Sequence, residues 1–142
     1  MTGIVATAEV RVNATLERVW RALTDPDDVK AWMFGTTLET DWVRGHPISW
    51  SGEYEGRAYR DTGEVLEVDP PTRLSVTHFS PLSGQPDTPE NHHTLTWLLS
   101  GDADGTDLSL SQDGNADAEE AQRSQANWAQ ALTALKAHVE AE

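Results

Sequence analysis

The chain has 142 residues, 37% of them apolar and six of them tryptophan, with no cysteine. That length suits one domain over 1–142, and the missing cysteine excludes disulfides, thiolate metal sites and cysteine nucleophiles. Ten basic against 24 acidic residues give a net charge of −14, which repels phosphate backbones and anionic lipid heads, so no nucleic-acid partner is expected.

In chain order, Ile4, Ala6, Ala8, Val10 and Val12 alternate with polar residues and predict a strand over 4–12. Leu16, Val19, Trp20 and Leu23 then follow the spacing of a helix face, with Asn13 or Thr15 as the cap. Asp25-Pro26 stops that helix and starts a short one over about 26–33, burying Val29, Trp32 and Met33. Alternation resumes with Leu38, Thr40 and Trp42. A turn at Arg44-Gly45-His46-Pro47 leads to Ile48, Trp50, Gly52 and Tyr54. After Glu55-Gly56 a longer strand spans 57–69, with a bulge expected near Asp61-Thr62-Gly63. Pro70-Pro71 ends it. Leu74, Val76 and His78 share one face of the next strand, 80–90 is a proline-rich loop, and Leu95, Trp97 and Leu99 alternate after it. Gly101–Gly105 is a hairpin turn, and the last strand carries Leu108 and Leu110 to about Gln112. From 116 to 141 the sequence is helical throughout, with Ala121, Trp128, Leu132, Leu135 and Val139 on its apolar stripe. Strand runs joined by short loops imply an antiparallel sheet.

No apolar run approaches the ~20 residues of a membrane span, and the alternating N-terminus lacks the basic and continuously apolar regions of a signal peptide. A cytoplasmic chain without stable membrane association is the expectation. The acidity has two readings, solubility or a high-salt cytoplasm, and composition leaves both open. His92 and His93 are strand neighbours on opposite faces and cannot share a metal. Asp102, Asp104 and Asp107 lack the spacing of a calcium loop. No nucleophile elbow, Walker or dinucleotide motif is present. No cofactor, metal or catalytic residue is assigned.

The ordered residues Val19-Trp20-Arg21-Ala22-Leu23-Thr24-Asp25-Pro26, Trp32, Gly45 before Ile48-x-Trp50, Gly63-Glu64-Val65, Pro70-Pro71-x-Arg73-Leu74-x-Val76-Thr77 and the late Trp128 resemble the START-like or SRPBCC superfamily. Within it the chain is similar to the homologues of the activator of Hsp90 ATPase. His46 and Asn127 stand where glycine is common in that pattern. The resemblance implies an α+β helix-grip fold: two short helices after the first strand, then a curved antiparallel sheet of about seven strands wrapped round the long C-terminal helix, with a cavity between them. It also implies three functions: binding of a small hydrophobic molecule such as a lipid or polyketide, cyclase or hydrolase chemistry, or docking on a chaperone.

The expected cavity residues are Trp50, Val76, His78, Leu95, Trp97, Leu108, Trp128 and Leu132, with Trp32 and Phe34 near its mouth. The opposing reading is that these side chains fill the core, since interiors hold few voids. His78 is the one titratable residue this reading places inward, with no carboxylate evident to fix its tautomer. An inward Tyr59 or Glu67 would be unexpected. The favoured function is therefore binding of a small apolar ligand without chemistry. A cyclase or hydrolase using His78 or a tyrosine, and a chaperone or homodimer partner, are the alternatives.

Overall fold

β1 (Ile4–Val12) opens the computed structural model, which describes residues 4–81 and 84–141. Its alternation buries Ala6, Ala8 and Val12. Where the alternation stops, α1 (Leu16–Thr24) begins, and the Thr15 hydroxyl accepts from the Arg18 N–H. Asp25 serves two helices. Its backbone N–H donates to Arg21 O at the end of α1, and its carboxylate accepts from the N–H groups of Asp27 and Asp28 at the start of α2 (Pro26–Trp32). Those are donors that a helix cannot satisfy internally. Pro26 costs nothing at the first helical position because its missing N–H would have had no partner there.

β2 (Thr37–Glu39) is shorter than the alternation of Leu38, Thr40 and Trp42 predicts. The Thr40 hydroxyl donates to Pro47 O and accepts from the Trp42 N–H, and Trp42 takes φ 58°, so the chain leaves the strand after Glu39. β3 (Pro47–Tyr54), β4 (Arg57–Asp69), β5 (Arg73–His78), β6 (His93–Asp102) and β7 (Gly105–Asn115) follow, then α3 (Ala118–Glu140). The strands form a seven-stranded antiparallel sheet in the order β1-β7-β6-β5-β4-β3-β2, so the two strands flanking the short helices lie at its opposite edges. This is the α+β arrangement the sequence implies.

β4 carries its bulge at Leu66, not at 61–63. Val65 pairs with Val76 and Glu67 with Ser75, while pairing with β3 runs unbroken from Arg57 to Glu64. The extra residue exchanges the two faces of β4. Before it, odd-numbered residues face the helices, and beyond it Val68 does. At Gly63 a Cβ would lie 1.9 Å from Thr77 O, so only glycine lets β4 pass β5 there.

α3 is capped by the Asp117 carboxylate, which accepts from the Glu120 N–H. Its stripe of Leu132, Leu135 and Val139 is buried, whereas Trp128 is only half-buried. The helix lies against β1 and β7 and touches α1 and α2. Among the described residues no helix is long and apolar enough to cross a membrane.

Candidate functional site

Because α3 settles on the β1–β7 end of the sheet, the inward faces of β2 to β6 are left for α2 and the first half of α3 to cover. They do not fill the space. A cavity of about 550 Å³ remains, far above the water-sized voids of an ordinary interior. Of the residues expected to line it, Trp32, Phe34, Trp50, Val76, His78, Leu95, Trp97 and Trp128 border it. Leu108 and Leu132 do not, and this corrects the sequence reading. Each is 1% exposed in the solid core. Leu108 sits on β7 between Val10 and Leu99, beneath the part of α3 that rests directly on the sheet.

The body of the cavity is aromatic and aliphatic. The Trp97 ring stands edge-on to Trp32 at 6.2 Å and to Trp128 at 6.0 Å. Trp42, missed because it was read as a strand residue, also borders the cavity. Indole N–H groups need partners when buried. Trp32 donates to Ala22 O, Trp42 to Thr24 O and Trp128 to Gln112 Oε1. Trp50 and Trp97 find no such partner among the described residues. Phe34 lies at the mouth, 75% exposed, with φ 57°, a left-handed conformation that is rare for a bulky side chain.

One pole is polar, and here the structure departs most from the sequence reading. Trp50 lies directly across from Asp61, and Gly52 across from Tyr59. His78, on β5, donates from Nε2 to Asp61 Oδ2 at 2.9 Å and meets the Trp50 ring at 5.2 Å. A carboxylate only accepts, so Nε2 carries the hydrogen and the tautomer is fixed. His78 therefore has the carboxylate the sequence did not reveal. It is not the sole titratable group either, because Glu53, Tyr59 and Asp61 border the cavity with it. Asp61 Oδ1 is buried and has no hydrogen-bond partner.

Tyr59 is inward because β4 keeps its odd-numbered face toward the helices up to the bulge. Its ring passes over Gly52, where a Cβ would come within 2.9 Å of the phenol oxygen. The hydroxyl reaches Thr36 Oγ1, which itself donates to Met33 O at 2.8 Å. Glu67, past the bulge, is exposed and pairs with Arg73 at 2.6 Å. Two further histidines point elsewhere. His92 stacks on Phe79 and bonds Asp87, while His93 bonds Asp113 O. Asp102 shapes the β6–β7 hairpin, accepting from the N–H groups of Asp104 and Gly105 and from Arg11.

Among curated proteins none matches this chain. Solved structures do. The solution structure of a Cytophaga hutchinsonii protein is 40% identical, with a TM-score of 0.85, over 99% of this chain and 96% of that one. The Aha1 dimer from Colwellia psychrerythraea has 18% identity and a TM-score of 0.75 over 96% of each chain. DynU16, a protein in the dynemicin biosynthetic locus, has 23% identity and a TM-score of 0.80 over 96% of this chain and 47% of that one. These last two share the fold. The family described as activator of Hsp90 ATPase homolog 1-like protein matches residues 13–140. With nearly the whole chain covered by that match, and a sheet, helices and cavity arranged as the resemblance implied, the protein belongs to the activator of Hsp90 ATPase homolog 1-like family.

Proposed function

We propose that the cavity takes up one small, largely apolar molecule. The body of that molecule packs among Trp97, Trp128, Val76 and Leu95, and its polar end sits at the Asp61, His78 and Tyr59 pole. The carrying observation is the pairing of an aromatic cavity of about 550 Å³ with one polar end that holds an unsatisfied oxygen, Asp61 Oδ1. Ligand pockets combine an apolar wall with a few convergent polar groups in this way. The similarity to a protein of a biosynthetic locus supports the same reading. In this reading the site binds and performs no chemistry. A second reading, proton transfer by His78, is favoured by one observation, the carboxylate that orients its ring, since a fixed tautomer is what a general base needs. A chaperone or homodimer partner draws on the family description and the Colwellia dimer alone.

Titration with Nile red, a neutral apolar dye, tests the binding reading. Saturable fluorescence enhancement at one site per chain is expected. Ala131→Phe, which places a ring into the cavity wall, should weaken it at least about tenfold. Dye binding that does not saturate, or is indifferent to Ala131→Phe, contradicts the proposal.

A further inference from the structure

We propose that the molecule held in the cavity carries a protonated primary or secondary amine at its polar end, an inference that rests on the binding reading above. The sign of the pole comes first. Glu53 and Asp61 border it, and among the described residues no lysine or arginine lines the cavity. The one basic group, His78, is already engaged with Asp61 Oδ2. An anionic head would meet two carboxylates with no free cation to answer it.

Hydrogen-bond polarity points the same way. Asp61 Oδ1 is buried and accepts nothing. An unsatisfied carboxylate oxygen is more costly than an unsatisfied neutral group, and a cationic N–H is its strongest partner. The terminal torsion of aspartate is broad, so the carboxylate can turn toward a donor arriving from the cavity, exchanging part of its bond to His78 for the stronger cationic one. Tyr59 supplies a second acceptor. Thr36 has one hydroxyl hydrogen, and it goes to Met33 O. Its oxygen must therefore accept the Tyr59 hydrogen, which leaves lone pairs on the phenol oxygen. Tyr59 and Asp61 stand two residues apart on one face of β4, a separation of about 7 Å. The N–H groups of Trp50 and Trp97 are neutral donors. They suit a carbonyl or ether along the ligand body and do not offset a full negative charge. At longer range the net charge of −14 draws cations toward the molecule. A quaternary ammonium carries the charge but no N–H, and would leave Oδ1 unpaired.

Calorimetric titration of the full chain with four probes that share a naphthyl body decides the matter: 2-(1-naphthyl)ethylamine, its N,N,N-trimethyl derivative, 2-(1-naphthyl)ethanol and 1-naphthylacetate. The amine is expected to bind about tenfold more tightly than the alcohol or the trimethyl derivative, with the acetate weakest. Asp61→Asn should cost the amine about tenfold and the alcohol less, so that the two bind alike. Should that variant fail to fold, Glu53→Gln at the exposed rim and a salt series on the wild type read the same term. Either change should reduce the advantage of the amine and leave the alcohol unmoved. Alcohol or acetate binding as tightly as the amine overturns this proposal and leaves the cavity reading standing. If no probe binds, both fall.

Discussion

Trp97→Ala is expected to lower the stability of the fold by about 3 kcal/mol, the lower end of the range for truncating a buried tryptophan. The ring is 7% exposed and stands between two others, edge-on to Trp32 and to Trp128. Each such aromatic pair adds about 0.5–1.5 kcal/mol beyond the area it buries. The loss stays at the lower end because one side of the ring already borders empty volume, so truncation widens a cavity instead of opening one in solid core. Urea unfolding measures the difference. A loss below about 1 kcal/mol would show that the ring contributes little packing and that the aromatic wall collapses readily once it is gone.

Asp28→Ala carries a comparable penalty, about 3–5 kcal/mol, for a different reason. The Asp28 side chain is 13% exposed and ties three helices together. Arg18 of α1 donates to both of its oxygens, at 2.8 and 3.3 Å, and His138 of α3 meets Oδ1 at 2.8 Å. Truncation removes the buried carboxylate that joins Arg18 of α1 to His138 of α3. Burial alone pushes the Asp28 carboxyl up, but the hydrogen bonds from Arg18 and His138 outweigh it and hold the group below its ordinary value. A carboxyl lowered in the folded state stabilises at pH values above its unfolded pKa, near 4. That stabilisation is lost as pH falls through the folded value. Unfolding measured at neutral pH and again at about pH 3 should therefore show the gap between wild type and Asp28→Asn narrowing on acidification. A gap that is constant with pH would mean the pair contributes through shape and not through charge.

Much of the frame was legible in the sequence because it is written in local chemistry. The alternation over Ile4–Val12, the Thr15 cap and the Asp25-Pro26 junction each specify an element through neighbouring residues, and the structure places the elements there. Of the tryptophans that border the cavity, Trp50 and Trp97 were legible by strand parity and Trp32 and Trp128 by helical spacing, while Trp42 was not. The polar pole was not. Asp61-Thr62-Gly63 has the composition of a turn, which points to a bulge there. A bulge is visible only in pairing, and this one lies at Leu66. Asp61 and His78 meet across two strands, a juxtaposition set by register over seventeen residues of chain. One signal was available: Tyr59, Asp61 and Val65 share parity, with Gly52 placed to make room for a large ring opposite it. Leu108 and Leu132 were misplaced because inward parity says which face a side chain takes and not where α3 touches down.

The central claim is that the cavity is a binding site, and the indole signals of the protein test it most directly. Trp32, Trp42, Trp50, Trp97 and Trp128 border the cavity, and Trp20 does not. In a nitrogen-15 spectrum of the tryptophan indoles, titration with 2-(1-naphthyl)ethanol should move the cavity signals along one saturable curve while Trp20 stays still. Indole signals that do not move, or a shift of Trp20 equal to the others, would contradict the account.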